Sequence, residues 1–184
     1  MLRENLSRVH PELAKKIRSV NTNKLIFCPT RLGELNLKLT AKGRSWYFHS
    51  NYDPYREARR WLSGLELEEV EVLYVYGVGC GYSFGSLTPW LRSNGRRMLV
   101  YIEDDLRVLY RLFETEQGAE ILDDDQVELY YMSKNEECHK FCQEVAVHYA
   151  GRPFLISALS YYCQQKEERF DRIETFLMHF SRFK

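Results

Sequence analysis

Three glycines at alternate positions, Gly77, Gly79 and Gly81, follow directly on the run Val70-Glu71-Val72-Leu73-Tyr74-Val75-Tyr76. A short β-branched and aromatic run of this kind is the mark of a strand buried on both faces, and therefore of a parallel sheet covered by helices. After the glycines, Phe84, Leu87, Trp90 and Leu91 fall on one face of a helix, which Asn94 and Gly95 close. Met98 to Ile102 reads as the next strand and delivers Glu103 at its carboxyl end. Strand, glycine turn, helix, strand and acid together predict the first half of a Rossmann-like nucleotide-binding fold.

The glycines matter because a chain leaving a parallel strand must reverse sharply into the helix. Positions without side chains let backbone N–H groups face a ligand at the positive end of that helix. Glu103 lies 22 residues after Gly81, near the ~20-residue spacing at which an acid reaches a ribose hydroxyl. The spacing is not that of a dinucleotide enzyme. Counted from Gly77 or Gly79, the third glycine of G-x-G-x-x-G would fall at Tyr82 or Phe84. The G-x-G-x-G form is closer to adenosylmethionine-dependent methyltransferases. Two readings stay open: the turn cradles a nucleotide, or its glycines only let strand and helix pack tightly.

Before this unit the chain has two short amphipathic helical pieces (Leu2, Leu6, Val9; then Leu13, Ile17), with Pro11 placed to open the second. Lys24–Cys28, the alternating Leu35, Leu37 and Leu39, and Trp46–Phe48 predict a β-meander with a polar exposed face. Asp53 and Pro54 are an N-cap and first residue for a helix that Gly64 stops. His49, Asp53 and Arg56 are either parts of this capped connector or polar groups at the mouth of the glycine turn.

After Glu103, Leu106 to Glu116 reads as one helix burying Leu106, Leu109, Tyr110 and Phe113, with Gly118 beyond it. Asp123-Asp124-Asp125 reads as a solvated turn, because adjacent aspartates on a loop converge poorly on a metal. Val127–Met132 and Pro153–Leu159 give two further core strands. Between them Cys138, Cys142, Val145 and Tyr149 form a helical stripe, which reads as apolar thiols on a buried face, since no second ligand pair is spaced to complete a zinc site. A last amphipathic helix carries Phe170, Ile173, Phe176, Leu177 and Phe180. His148 and His179 read as packing residues.

The expected fold is thus α/β: a Rossmann-like, mostly parallel sheet with helices on both faces over residues 51–184, preceded by a helical and β-meander appendage over 1–50. Charge is balanced, 26 basic against 26 acidic residues, so no global field favours nucleic acid or an anionic membrane. No apolar run approaches the ~20 residues of a membrane span. Five scattered cysteines, an odd number, suit free thiols in a reducing cytoplasm. No catalytic set and no metal site is expected.

The segments YFHSNYDPYREARRWL, VLYVYGVGCGYSFGSL and VYIEDD together resemble the amino-terminal domain of the motility-associated factor (Maf) glycosyltransferases. The matching positions are His49, Ser50, Tyr52, Asp53, Pro54, Glu57 and Ala58, then Gly77, Gly79, Gly81 and Tyr82, then Glu103. The resemblance implies a Rossmann-like domain that normally precedes a central MptE-like domain, which handles an activated sugar, commonly CMP-linked. This chain ends where that central domain would begin. The expectation is therefore an accessory module or one that binds a nucleotide or sugar-nucleotide, not catalytic alone, with a protein partner or the missing catalytic domain. Its ligand contacts would be Gly77, Gly79, Gly81, Tyr82, Glu103, His49, Asp53 and Glu57, and its cofactor is unknown. A small methyltransferase and a purely structural domain, its glycine turn collapsed against Tyr82, are the alternatives.

Overall fold

A computed structural model of the chain describes residues 1–133 and 138–181. Helices α1 (Leu2–Ser7) and α2 (Pro11–Ser19) lead into a three-stranded antiparallel sheet in the order β1 (Leu25–Pro29), β2 (Leu35–Ala41), β3 (Arg44–Tyr47). Helix α3 (Pro54–Ser63) then connects to the α/β unit. That unit comprises β4 (Val72–Tyr76), α4 (Tyr82–Arg92), β5 (Met98–Glu103), α5 (Leu106–Phe113), α6 (Glu116–Asp123), β6 (Val127–Tyr131), α7 (Cys138–Val147), β7 (Phe154–Ala158), α8 (Ser160–Gln165) and α9 (Glu167–Ser181).

Strands β4 to β7 form one all-parallel sheet in the order β6-β5-β4-β7, flanked by helices. All five residues of β4 are at most 1% exposed, which accounts for its unbroken apolar run: a central parallel strand has no solvent face. The chain leaves β4 towards β5 on one side and returns to β7 on the other. The carboxyl ends of β4 and β7 therefore bound the crevice where such sheets bind ligands.

The amino-terminal segment shares the core of this unit. Asn5, fully buried, donates from Nδ2 to Phe113 O at 3.0 Å, and Arg111 Nε donates to Leu25 O at 2.9 Å. Leu6, Ile17, Leu25 and Leu37 belong to the same apolar cluster as β4 and β5.

Several expectations need correction. The helix after Glu103 is two helices. Thr115 accepts from Gly118 N at 3.1 Å and caps α6, a stronger local signal than the apolar period running across it. Gly118 sits inside α6, where a Cβ would lie 2.2 Å from Leu112 O. Asp123 ends α6, and Asp124 is not solvated: its side chain is 4% exposed and pairs with Arg92. On β2 the alternation is broken. Leu37 is buried, but Leu35 is 45% exposed and Asn36 is fully buried. The outer face of the meander is not wholly polar either, since Ile26 and Tyr47 are exposed there. His148 and His179 are exposed rather than packed inside. Helix α8, which the sequence reading did not anticipate, carries two buried tyrosines.

Candidate functional site

The site is built at the carboxyl end of β4. Gly77 (φ 92°), Gly79 (φ 55°) and Gly81 (φ 85°) all have left-handed backbones, which a residue with a Cβ adopts only with strain. The turn closes on itself through Gly81 N to Val78 O (2.9 Å), and Gly77 N bonds to Ile102 O at 2.8 Å on the neighbouring strand. Gly81 is the N-cap position of α4. The expected strand-to-helix crossover, glycine bend and facing acid are therefore all present.

What fills the crevice is the chain itself. From β5, Glu103 turns its carboxylate into the bend and accepts from Val78 N (3.2 Å), Asp104 N (3.0 Å) and Asp105 N (3.0 Å). Tyr162 of α8 donates its hydroxyl to the same carboxylate. Its ring lies over Gly77, where an added Cβ would come within 2.2 Å of two ring carbons. Both Glu103 and Tyr162 are fully buried. Burial pushes the Glu103 pKa up to about 7, opposed by Lys166, raised by Asp104 and opposed again by the Tyr162 hydrogen bond. The Tyr162 phenol is driven well above its ordinary value by burial and by the Glu103 charge.

His49 closes the other side. The stretch after β3 crosses the end of the parallel sheet, stacking Phe48 on Tyr161 (ring centroids 3.8 Å apart) and setting it edge-on to Tyr162. His49 Nε2 then accepts from Cys80 N at 2.9 Å, while Nδ1 lies 3.6 Å from Glu57 Oε2. This arrangement requires a neutral imidazole with Nε2 unprotonated. The ring thus occupies the turn amide that an anionic ligand would use, and a Cβ on Gly79 would meet it at 2.4 Å. Glu57 also accepts from Ser50 N at 2.8 Å.

The predicted residues thus divide. Gly77, Gly79, Gly81, Glu103, His49 and Glu57 come together around the turn. Tyr82 starts α4, donates its hydroxyl to Leu35 O at 2.6 Å, and meets His49 edge-on; it ties the turn to the meander rather than filling the crevice. Asp53 accepts from Arg56 N at 2.8 Å as the cap of α3. The cavity left between Phe48, His49, Trp61, Tyr82 and Leu159 holds about 10 Å³, which is room for about one water molecule and no nucleotide.

Outward of Glu103, Asp104 is also buried. It accepts from Tyr76 OH at 2.8 Å, pairs with Lys166, and lies 3.2 Å from Arg169 Nε. Asp105 caps α5 and is held below the usual carboxylate range by its hydrogen bonds and ion pair with Arg107, which outweigh its burial. Above this layer an open depression of about 590 Å³ is lined by Asp104 and by the run Gln164, Gln165, Lys166, Glu167, Glu168 and Arg169.

Sequence reasoning missed Tyr162, Lys166, Arg169 and Asn36. The first three carried no local motif. Asn36 interrupts an apolar alternation, and that irregularity was the available signal. Its Oδ1 accepts from Leu37 N (2.8 Å) and His49 N (3.0 Å), and its Nδ2 donates to His49 O (2.8 Å) and Asn51 Oδ1 (3.0 Å). Asn36 thus fixes the backbone that aims His49. Asn36→Ala should cost roughly 3 kcal/mol, because an unpaired buried polar group costs ~1–3 kcal/mol and more than one is left. Urea unfolding measures this, and a loss under about 1 kcal/mol, the worth of one ordinary hydrogen bond, would show that the His49 segment holds itself.

No family model and no curated protein matches the chain. Among solved structures the chain is similar to MNMC2 from Aquifex aeolicus, at 15% identity over 73% of this chain with a TM-score of 0.41. This chain spans half the length of that protein.

Proposed function

We propose that this chain is an accessory module built on half of a Rossmann-like fold, acting beside a protein partner rather than turning over a substrate by itself. One observation carries the reading: the groups a nucleotide would need at the glycine turn are already used by the chain. Cys80 N is taken by His49, Val78 N by Glu103, and the space over Gly77 by Tyr162. A methyltransferase would have to displace all three before its cofactor could approach the turn.

A thermal-shift series with adenosylmethionine, adenosylhomocysteine, AMP and a CMP-linked sugar tests this. A ligand present at 100 times its Kd adds about 2.7 kcal/mol to the folded state. For a chain of this size that moves Tm by roughly 5–10 °C. The expected result is no shift with any of the four. A shift with adenosylmethionine or adenosylhomocysteine would sink the proposal in favour of the methyltransferase.

The depression over Asp104 favours a second reading, a sugar-nucleotide-binding module. It is open, and it sets the amides of Gln164 and Gln165 beside the cations Lys166 and Arg169, which lie against Asp104, and beside the acids Glu167 and Glu168. A shift with the CMP-linked sugar alone, lost on Gln165→Ala, would select it.

A further inference from the structure

One face of α3 carries three cations that the fold leaves unused. Pro54 and Ala58 are buried, while Tyr55, Arg56, Arg59, Arg60 and Ser63 are exposed on the opposite arc of the helix. None of the three guanidinium groups has an ion pair or a side-chain hydrogen bond among the described residues. They line an open depression of about 710 Å³ with Tyr52, Ser63 and the acids Asp53 and Glu57. Both acids are engaged within the chain: Asp53 caps α3, and Glu57 accepts from Ser50 N beside His49.

The chain then passes Gly64 and exposes three anions, Glu66, Glu68 and Glu69, whose carboxylates also have no partner among the described residues. They line a second open depression, of about 550 Å³, which begins at Leu65. Only Gly64 separates the two linings. The acidic loop is held in place, since Leu67 is buried and its carbonyl accepts from Trp90 Nε1 at 3.1 Å, and Arg97 donates to Glu68 O at 3.0 Å. We propose that this surface is a two-fold interface between copies of the chain, in which the arginine depression of each copy receives the Glu66–Glu69 loop of the other.

A two-fold contact must be self-complementary, because each patch that meets a second patch is met by it in return. A surface of one sign fails that condition, whereas two adjoining surfaces of opposite sign meet it. Antiparallel placement of the two α3 helices about Gly64 sets each arginine stripe against the opposite loop and puts no like charges face to face. Ser63 and Gly64, both exposed, are small enough to let the helix ends approach. Tyr52 and Tyr55, 54% and 40% exposed, add aromatic area, and Tyr and Arg are residue types enriched at interfaces. Glu57 lines the arginine depression and also lies 3.6 Å from His49, so the second copy sits one side chain away from the filled glycine turn.

Exposed ion pairs are individually weak and are screened by salt. The surface from Tyr52 to Glu69 also offers fewer residues than the ~20–30 a side of a standard stable interface. The dimer is therefore weak and salt-sensitive.

Sedimentation velocity on the whole chain, across the micromolar range, tests this in about 0.01 M and about 1 M salt, where the screening length is ~30 Å and ~3 Å. A monomer–dimer equilibrium is expected in low salt, weakened at least ~10-fold in high salt. The triple variant Arg56→Glu, Arg59→Glu, Arg60→Glu should be monomeric in low salt, and so should Glu66→Lys, Glu68→Lys, Glu69→Lys. Mixed in equal amounts the two should form a heterodimer. The reversed stripe then faces the reversed loop, and the native arginines face the native glutamates. Circular dichroism checks that each variant is folded, and the wild-type response to salt decides the matter if one is not. Four results would each overturn the proposal: a chain monomeric in low salt, a dimer indifferent to salt, folded variants that dimerise alone or fail to pair when mixed, and a mass that keeps growing with concentration, as an open head-to-tail contact gives. The first would leave the α3 face to an acidic segment of a different protein. The accessory reading stands or falls separately, on the nucleotide series.

Discussion

Gly77→Ala is expected to unfold the protein or to cost more than about 4 kcal/mol, a loss seen only when a named mechanism such as overpacking or backbone strain operates. Both operate here. The residue has φ 92°, and the new methyl would sit 2.2 Å from Cδ2 and Cε2 of Tyr162 and 2.6 Å from its Cζ. The ring cannot swing away, because its hydroxyl is bound to Glu103 and it is fully buried against Phe48 and Tyr76. Strain and clash are separable. Gly33 has φ 86° with nothing near its missing Cβ, so Gly33→Ala should show the left-handed penalty alone, about 1–2 kcal/mol. On a Tyr162→Ala background, Gly77→Ala should fall towards that same value. The coupling in this double-mutant cycle is expected to be at least about 2 kcal/mol, within the range for groups in contact. An additive cycle would mean that Tyr162 does not occupy the crevice over the turn, and the accessory reading would lose its support.

The second large effect is on pH dependence. With Glu103 raised from its ordinary 4.5 to about 7 by burial, the folded state holds this proton more tightly than the unfolded chain. Stability from this group is fully present below about pH 4.5 and is lost as pH rises through about 7. Between pH 5 and 7.5 the loss amounts to roughly 2 kcal/mol, at 1.36 kcal/mol per pKa unit. Glu103→Gln keeps the shape and removes the titration. The unfolding free energy of the wild type minus that of the variant should therefore fall by about this amount over the same interval. Other titrating groups largely cancel in the difference. A difference that stays level or grows with pH would show that the three backbone N–H groups and Tyr162 outweigh burial and hold the carboxylate ionised. The two predictions concern the same contact from opposite sides, since Tyr162 both fills the space and donates to Glu103.

The parallel core was legible because its signals are local. Val72 to Tyr76 is apolar without alternation, the three glycines fall where the backbone turns left-handed, and Asp53 and Pro54 cap a helix by residue type alone. Reading failed where a short-range feature overrode a period. Thr115 restarted a helix inside an apolar pattern, and Asn36 was drawn inside by hydrogen bonds to the His49 segment. Helix α8 is six residues long, too short to show an amphipathic period.

By itself, then, the order of residues determined that a parallel strand ends in a glycine bend facing an acid on the next strand, because each of those elements is specified within a few positions. Only the folded chain decided what occupies the bend. Tyr162 arrives from 85 positions after Gly77 and His49 from 28 before it, and nothing in either stretch announces its destination. Side chains that meet across such separations are chosen by how β7, α8 and the meander pack at the end of the sheet. That packing turned a shape suited to a nucleotide into one filled by the protein's own groups.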